Sequence, residues 1–203
     1  MADSERFRLF IAVGIPDGIK SKIEAAQAEL RRVLPARNVR WTRREQFHLT
    51  LRFLGDVEAA RVDSLGEAMR RACHGFEPLR LRGEGVGCFP EHGYPRVLWT
   101  GVRDEEEQLP RLHAAVELAS RGFTTEAKEE RFTGHVTLAR IKGIKRAEAE
   151  ALSGVVAGMK DRLFGHWTAY KIELMRSELL PQGARHTPLA TIALTESPAS
   201  AYA

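Results

Sequence analysis

Phe47-His48-Leu49-Thr50-Leu51-Arg52-Phe53-Leu54-Gly55 is the stretch that decides how the rest of the chain is read. As a strand it alternates: Phe47, Leu49, Leu51 and Phe53 fall on one face, and His48, Thr50 and Arg52 on the other. The apolar face asks for a core. The opposite face carries an imidazole, a hydroxyl and a guanidinium in a row. The phrase then returns as Gly134-His135-Val136-Thr137-Leu138-Ala139-Arg140. Two His-x-Thr-Leu strands predict two imidazoles and two hydroxyls facing each other across a cleft, which makes this pair the candidate active site.

Working outward, the surrounding elements repeat as well. His135 follows His48 by 87 positions, and counting back 38 from each reaches Phe10 and Val97, inside the apolar runs Arg8–Val13 and Arg96–Val102. A helix from Asp17 as cap to about Val33, stopped by Pro35, follows the first run. A short segment Val39–Thr42 then leads into the first His-x-Thr strand. A second helix runs from Glu58 to Cys73, and a glycine-kinked strand from Phe76 to Phe89. In the second half the acidic run Asp104–Glu107 opens a helix that ends near Gly122. After the second His-x-Thr strand come a helix from Arg146 to Met159 and a strand from Phe164 through Leu174. Residues 90–95 and 181–187 read as loops, Leu189–Leu194 as a last strand, and 196–203 as a frayed tail. Each half is thus strand, helix, His-x-Thr strand, helix, strand. The predicted fold is α+β and bilobal: two related antiparallel-rich sheets face a central cleft, with helices outside and a pseudo-two-fold internal repeat. No Pro/Ser linker intervenes, so residues 7–195 are expected to form one domain with halves of about 7–89 and 95–195.

Composition narrows the setting. With 43% hydrophobic and 29% charged residues in 203, the chain has the make-up of a globular protein with a sizeable core rather than a disordered one. A net charge of +4 favours anionic ligands. Cys73 and Cys88 form no Cys-x-x-Cys pair and read as reduced thiols. No apolar run approaches a membrane span, and the start Met-Ala-Asp-Ser-Glu-Arg lacks a signal pattern, so no membrane contact is expected and the protein is predicted to be cytoplasmic. A monomer is expected.

Two imidazoles and two hydroxyls suit in-line attack at phosphorus. One histidine takes a proton from water and the other gives one to the leaving oxygen, both near neutral pH. Threonines two residues on share the histidine face and are placed to donate to non-bridging phosphate oxygens as charge grows there. No His-Glu-x-x-His or Asp-rich cluster is present, so no metal and no cofactor is expected.

The paired motifs resemble the 2H phosphoesterase superfamily. Arg8-Leu9-Phe10-Ile11-Ala12-Val13, the Phe47–Gly55 stretch, Gly87-Cys-Phe-Pro, Val97-Leu98-Trp99 and Thr187-Pro-Leu narrow the likeness to the RNA 2′,3′-cyclic phosphodiesterase family, long called 2′-5′ RNA ligase. The resemblance covers about residues 7 to 195. It implies metal-independent hydrolysis of a terminal RNA 2′,3′-cyclic phosphate to a 2′-phosphomonoester, on RNA ends such as those of tRNA fragments. It further implies His48 as proton donor to the departing 3′ oxygen, His135 as the base that activates water, and Thr50 and Thr137 as phosphate holders. Two positions depart from the family pattern. Gly134 stands where proline is usual, which loosens the strand entry, and His186 stands where tyrosine often precedes Thr-Pro-Leu.

Other candidates for substrate contact carry competing structural readings. Arg52 shares the His48 face, where a phosphate contact competes with a surface salt bridge. Arg140 has the parity of Val136 and Leu138, off the cleft unless the strand bulges, although the resemblance puts a basic residue there. Trp41 and Phe132 are candidates to stack a base or to pack in the core. Arg185 either meets RNA phosphate or is solvated. His74, His92, His113 and His166 lack a partner pattern and read as structural or surface residues. Three functions are weighed: the cyclic phosphodiesterase; a 2H enzyme on another cyclic phosphate or nucleotide end, including a reversible 2′-5′ ligase; and a non-catalytic RNA-binding protein. The intact matched pairs tell against the last.

Overall fold

The computed structural model describes residues 5–34, 36–91, 93–128, 131–181 and 183–195. The expected stop at Pro35, the reading of His92 and the tail 196–203 lie outside them. In chain order the elements are β1 (Arg6–Gly14), α1 (Asp17–Arg31), β2 (Val39–Trp41), β3 (His48–Glu58), α2 (Val62–Cys73), β4 (Leu79–Phe89), β5 (Val97–Asp104), α3 (Gln108–Ser120), β6 (His135–Ile141), α4 (Arg146–Gly158), β7 (Leu163–Ala169), β8 (Lys171–Leu180) and β9 (Gly183–Ala193). The fold is α+β. All the strand pairings among the described residues are antiparallel.

Two four-stranded wings, β7-β4-β5-β6 and β3-β1-β8-β9, meet where β6 lies beside β3, and β2 adds to the outer part of β6. The two expected sheets are therefore one sheet with a seam. At the seam β3 and β6 share a single pair, Leu49 with Val136. Both residues are fully buried in the core that the helices complete. In α1, Ile19, Ile23, Ala26 and Leu30 recur at helical spacing and are all buried. Each Ile or Leu so removed from water contributes roughly 1.5–3 kcal/mol.

The pairing registers carry the repeat of 87. Ile11 pairs with Arg52 as Leu98 pairs with Ala139, and Ala12 pairs with Thr50 as Trp99 pairs with Thr137. Each half shows the same irregularity: Leu51 in β3 and Leu138 in β6 are skipped by the partner strand, a β-bulge at the leucine of each His-x-Thr-Leu. One strand next to each half's apolar opening strand comes from the other half. β4 joins the wing of β5, and β8 joins the wing of β1, so Cys88 pairs with Leu98 and Leu174 pairs with Ile11.

Several expectations are corrected. The expected strand Phe164–Leu174 is two strands broken at Tyr170, one in each wing. Most of the expected loop 181–187 belongs to β9, paired residue by residue with β8. Pro188 is accommodated because β9 is an edge strand and needs no N–H there. Pro16, not Asp17, occupies the cap position of α1, and the Asp17 carboxylate instead sits 3.2 Å from Arg44. Glu58 belongs to β3, and α2 begins at Val62. Asp104 does open α3, but as a residue of β5 whose carboxylate accepts from the N–H groups of Glu106 and Leu109. Gly134 is a tight position rather than a loose one: a Cβ there would lie 2.6 Å from the Val102 carbonyl oxygen.

Candidate active site

The seam pair fixes the site. With Leu49 opposite Val136 in antiparallel sense, His48 falls toward Thr137 and Thr50 toward His135, on the face away from the core. All four line one cleft of about 260 Å³. Successive side chains on one strand face are roughly 6.6 Å apart, and a phosphate fits within that square. Both imidazoles are held identically. His48 Nδ1 lies 2.7 Å from the Gln46 carbonyl oxygen, and His135 Nδ1 lies 2.7 Å from that of Thr133. A carbonyl only accepts, so Nδ1 carries hydrogen in both rings and Nε2 is the atom left for chemistry. Among the described residues, neither threonine hydroxyl has a protein hydrogen-bond partner.

The two sides of the cleft are not alike. His48 sits against Phe10 at 4.7 Å and edge-on to His186 at 5.3 Å, centroid to centroid. Gln46 Nε2 donates to the Ala184 carbonyl and ties β9 to the segment before His48, which brings His186 in. Burial of the His48 ring, reinforced by the neighbouring His186 and His135, pushes its pKa down to about 4, against the bond to Gln46, which raises it. Burial also lowers His186. His135 instead has Phe89 edge-on at 5.3 Å and Trp99 at 6.4 Å.

The twin bulges decide the fate of the arginines. Beyond Leu51 the parity of β3 reverses, so Arg52 turns inward, 7% exposed. Its guanidinium lies 3.1 Å from Glu117 of α3 and donates to the carbonyls of Glu126 and Ala127. Arg52 therefore anchors a loop and does not line the cleft. Beyond Leu138 the same reversal turns Arg140 outward into the cleft, beside Thr137. The bulge leaves the Leu138 carbonyl to accept from Thr42 N–H and from Gln27 Nε2, a buried side chain of α1. Arg140 pairs across the strands with Arg40, and like charges placed directly opposite are unfavourable. Arg8, Arg40 and Arg140 all line the cleft and have no carboxylate partner among the described residues, which leaves three guanidiniums for an anion.

Of the remaining candidates, Trp41 lines the cleft with Arg31 stacked 4.7 Å from its ring. Phe132 does not. It stacks on His113 at 4.1 Å and packs against the core. Arg185 is also outside the lining, bound to Glu178 of the neighbouring strand. His74 and His166 are exposed. Sequence reasoning missed Phe53, Phe10 and His186 as lining residues. Only the departure noted at His186 pointed to one of them. Among the described residues no group of three His, Cys, Asp or Glu gathers to hold a metal, and no helix is long and apolar enough to cross a membrane.

A single sheet built from two matched halves, with a His-x-Thr face on either side of its seam, defines a two-histidine phosphoesterase fold. The sequence matches the LigT-like phosphoesterase family over residues 13–99 and again over 101–186, and the chain belongs to that family. It is 34% identical over 178 residues to an RNA 2′,3′-cyclic phosphodiesterase of Archaeoglobus fulgidus, covering 87% of this chain and 94% of the relative. A protein of the same description from Aeropyrum pernix is 38% identical over 155 residues, 75% of this chain and 85% of that one. A crystal structure of a Thermus thermophilus protein superposes with a TM-score of 0.76 at 29% identity, over 94% of this chain and 99% of the other. Escherichia coli LigT complexed with 3′-AMP shares the fold at a TM-score of 0.74 and 24% identity, over 95% of this chain and all of that one.

Proposed function

We propose that the protein hydrolyses a terminal RNA 2′,3′-cyclic phosphate to a 2′-phosphomonoester, with two histidines and no metal. The observation that carries this reading is the square of His48, Thr50, His135 and Thr137 around the Leu49–Val136 seam. The description of the Archaeoglobus and Aeropyrum relatives as RNA 2′,3′-cyclic phosphodiesterases supports the substrate. The unpaired arginines around the square support an anionic one. The same reading takes residues 7–195 as one bilobal domain.

In this mechanism Thr50 and Thr137 donate to the non-bridging oxygens. His135 Nε2 takes a proton as water oxygen bonds to phosphorus. The bond from phosphorus to the 3′ oxygen breaks, and His48 Nε2–H delivers a proton to that oxygen. His48 is neutral in the open cleft at neutral pH, so it takes up its proton when the phosphate anion arrives beside it.

The test is incubation with an oligonucleotide ending in a 2′,3′-cyclic phosphate, with EDTA present, and identification of the end formed. A 2′-phosphate is expected, and an untouched end would overturn the reading. His48→Ala and His135→Ala should each lower turnover by roughly 10²–10⁴-fold. A nitrophenyl ester hardly needs an acid, so it should rescue His48→Ala in part and leave His135→Ala inactive. Rescue of His135→Ala instead would reverse the two roles.

A further inference from the structure

The repeat is broken beside the two histidines. Counting 87 from Ala12 reaches Trp99, and the registers put both at the same point: Ala12 pairs with Thr50, and Trp99 with Thr137. On the His135 side the Trp99 indole stands 6.4 Å from the imidazole and lies against Gly87, where any side chain would collide with it. On the His48 side the same place carries only a methyl group, and a Cβ added at Gly14 would meet just the Glu173 carboxylate, 4.0 Å away. A second cavity of about 430 Å³ opens there, lined by Ala12 and Gly14. It shares Phe10, His48 and His186 with the catalytic cleft, so the two hollows adjoin at these three rings.

We propose that this second cavity is a binding subsite for the neighbouring nucleoside of an RNA strand, the one joined through a phosphodiester to the 5′ oxygen of the terminal ribose. The inference rests on the reading of the cleft as a cyclic phosphodiesterase site, with His48 giving its proton to the 3′ oxygen. That role sets the terminal ribose against His48, and its 5′ substituent leaves on the side where the cavity opens. On the His135 side the indole bars the way. A space that holds an indole in one half is of a size for a purine in the other, since both are fused five- and six-membered rings. The lining suits such a flat, uncharged group better than a phosphate. Lys20 and Lys171 are balanced by Glu45 and Glu173, and Lys171 lies 2.8 Å from Glu173. Carboxylates and ammonium groups match the N–H donors and carbonyl acceptors of base edges. Trp167 contributes an aromatic wall, and Tyr170 stands 65% exposed in the lining, its ring open to a base.

The experiment compares three substrates: adenosine 2′,3′-cyclic phosphate, a diadenosine dinucleotide that ends in the same cyclic phosphate, and that dinucleotide without its 5′ base. For the wild type, kcat/KM should rise roughly 10- to 100-fold from the mononucleotide to the dinucleotide, as one stacked base predicts, and should fall back when the base is missing. Tyr170→Ala, a change at the surface, should cut this advantage. Ala12→Trp copies the His135 side, fills the cavity and should abolish it. Equal loss on all three substrates in Tyr170→Ala would make the residue structural and overturn the proposal, as would an advantage that survives in both variants. An advantage kept without the 5′ base would belong to the phosphodiester and refute a nucleoside subsite. An active wild type with no preference for the dinucleotide would overturn the proposal alone. A wild type inert on all three would defeat the underlying reading and this inference with it.

Discussion

An acid that is uncharged before its substrate arrives must draw a proton from solution on binding, and the size of that uptake follows from the cleft. With a pKa of about 4, only roughly one His48 in a thousand is charged at pH 7. A cyclic phosphate monoanion at about 4 Å, in an effective dielectric near 20, favours the imidazolium by about 4 kcal/mol, or about three pH units. That lifts His48 to near neutrality, so binding at pH 6 should take up close to one proton. The His135→Ala variant isolates the effect, because it halts turnover and removes the second imidazole. Titration calorimetry with a nucleoside 2′,3′-cyclic phosphate, which has no proton of its own to exchange in this range, then reads the uptake as a heat that changes with the ionisation enthalpy of the buffer. His186→Phe removes a second titratable ring whose protonated form disfavours the His48 cation. It should shift the uptake to higher pH. A buffer-independent heat at pH 6 would refute the argument and with it the assignment of His48 as the proton donor.

Stability should follow the same proton. The folded pKa of His48 lies below the unfolded value of 6.5, so between pH 6.5 and 4 the unfolded chain binds more protons and stability falls as pH is lowered. The loss is at most about 3 kcal/mol, smaller in His48→Phe, and a denaturation midpoint that is flat across this window in the wild type would contradict it. Arg52→Met leaves Glu117 buried without its partner and two carbonyls undonated, for a cost of roughly 3–5 kcal/mol by chemical denaturation. The double variant with Glu117→Leu should recover much of that, and strict additivity would count against a coupled pair. Gly134→Ala forces a Cβ against the Val102 carbonyl and should cost about 1–3 kcal/mol. A change below about 0.5 kcal/mol would show that the strand yields there.

The matched histidines and threonines were legible because strict alternation holds from His48 to Thr50 and from His135 to Thr137, and the 87-residue spacing reappears in the pairing registers. Alternation fails one residue later. A bulge is a property of two paired strands rather than of one sequence, and each bulge inverts the parity beyond it. Arg52, read as facing the cleft, went to the core. Arg140, on the apolar parity, went to the cleft, and Phe53 was taken for a core residue. His186 was hidden for another reason. Its strand is a polar edge strand with a proline, which reads as loop, and only pairing with β8 brings it to the site. The exchange of β4 and β8 leaves no local trace, since each is an ordinary strand whichever wing receives it.

That exchange bears on how the molecule can be taken apart. Residues 7–89 alone would present β1 with a bare edge where β8 belongs and would leave β4 with no strand to join. Neither half is expected to fold alone. A nick between β4 and β5 should give fragments that associate, each completing the other's sheet, and the two histidines would come together only in that association. The same geometry lets two copies of one half, each lending its final strand to the other, rebuild a symmetric cleft as a strand-swapped dimer. The site is in this sense a subunit interface enclosed within one chain.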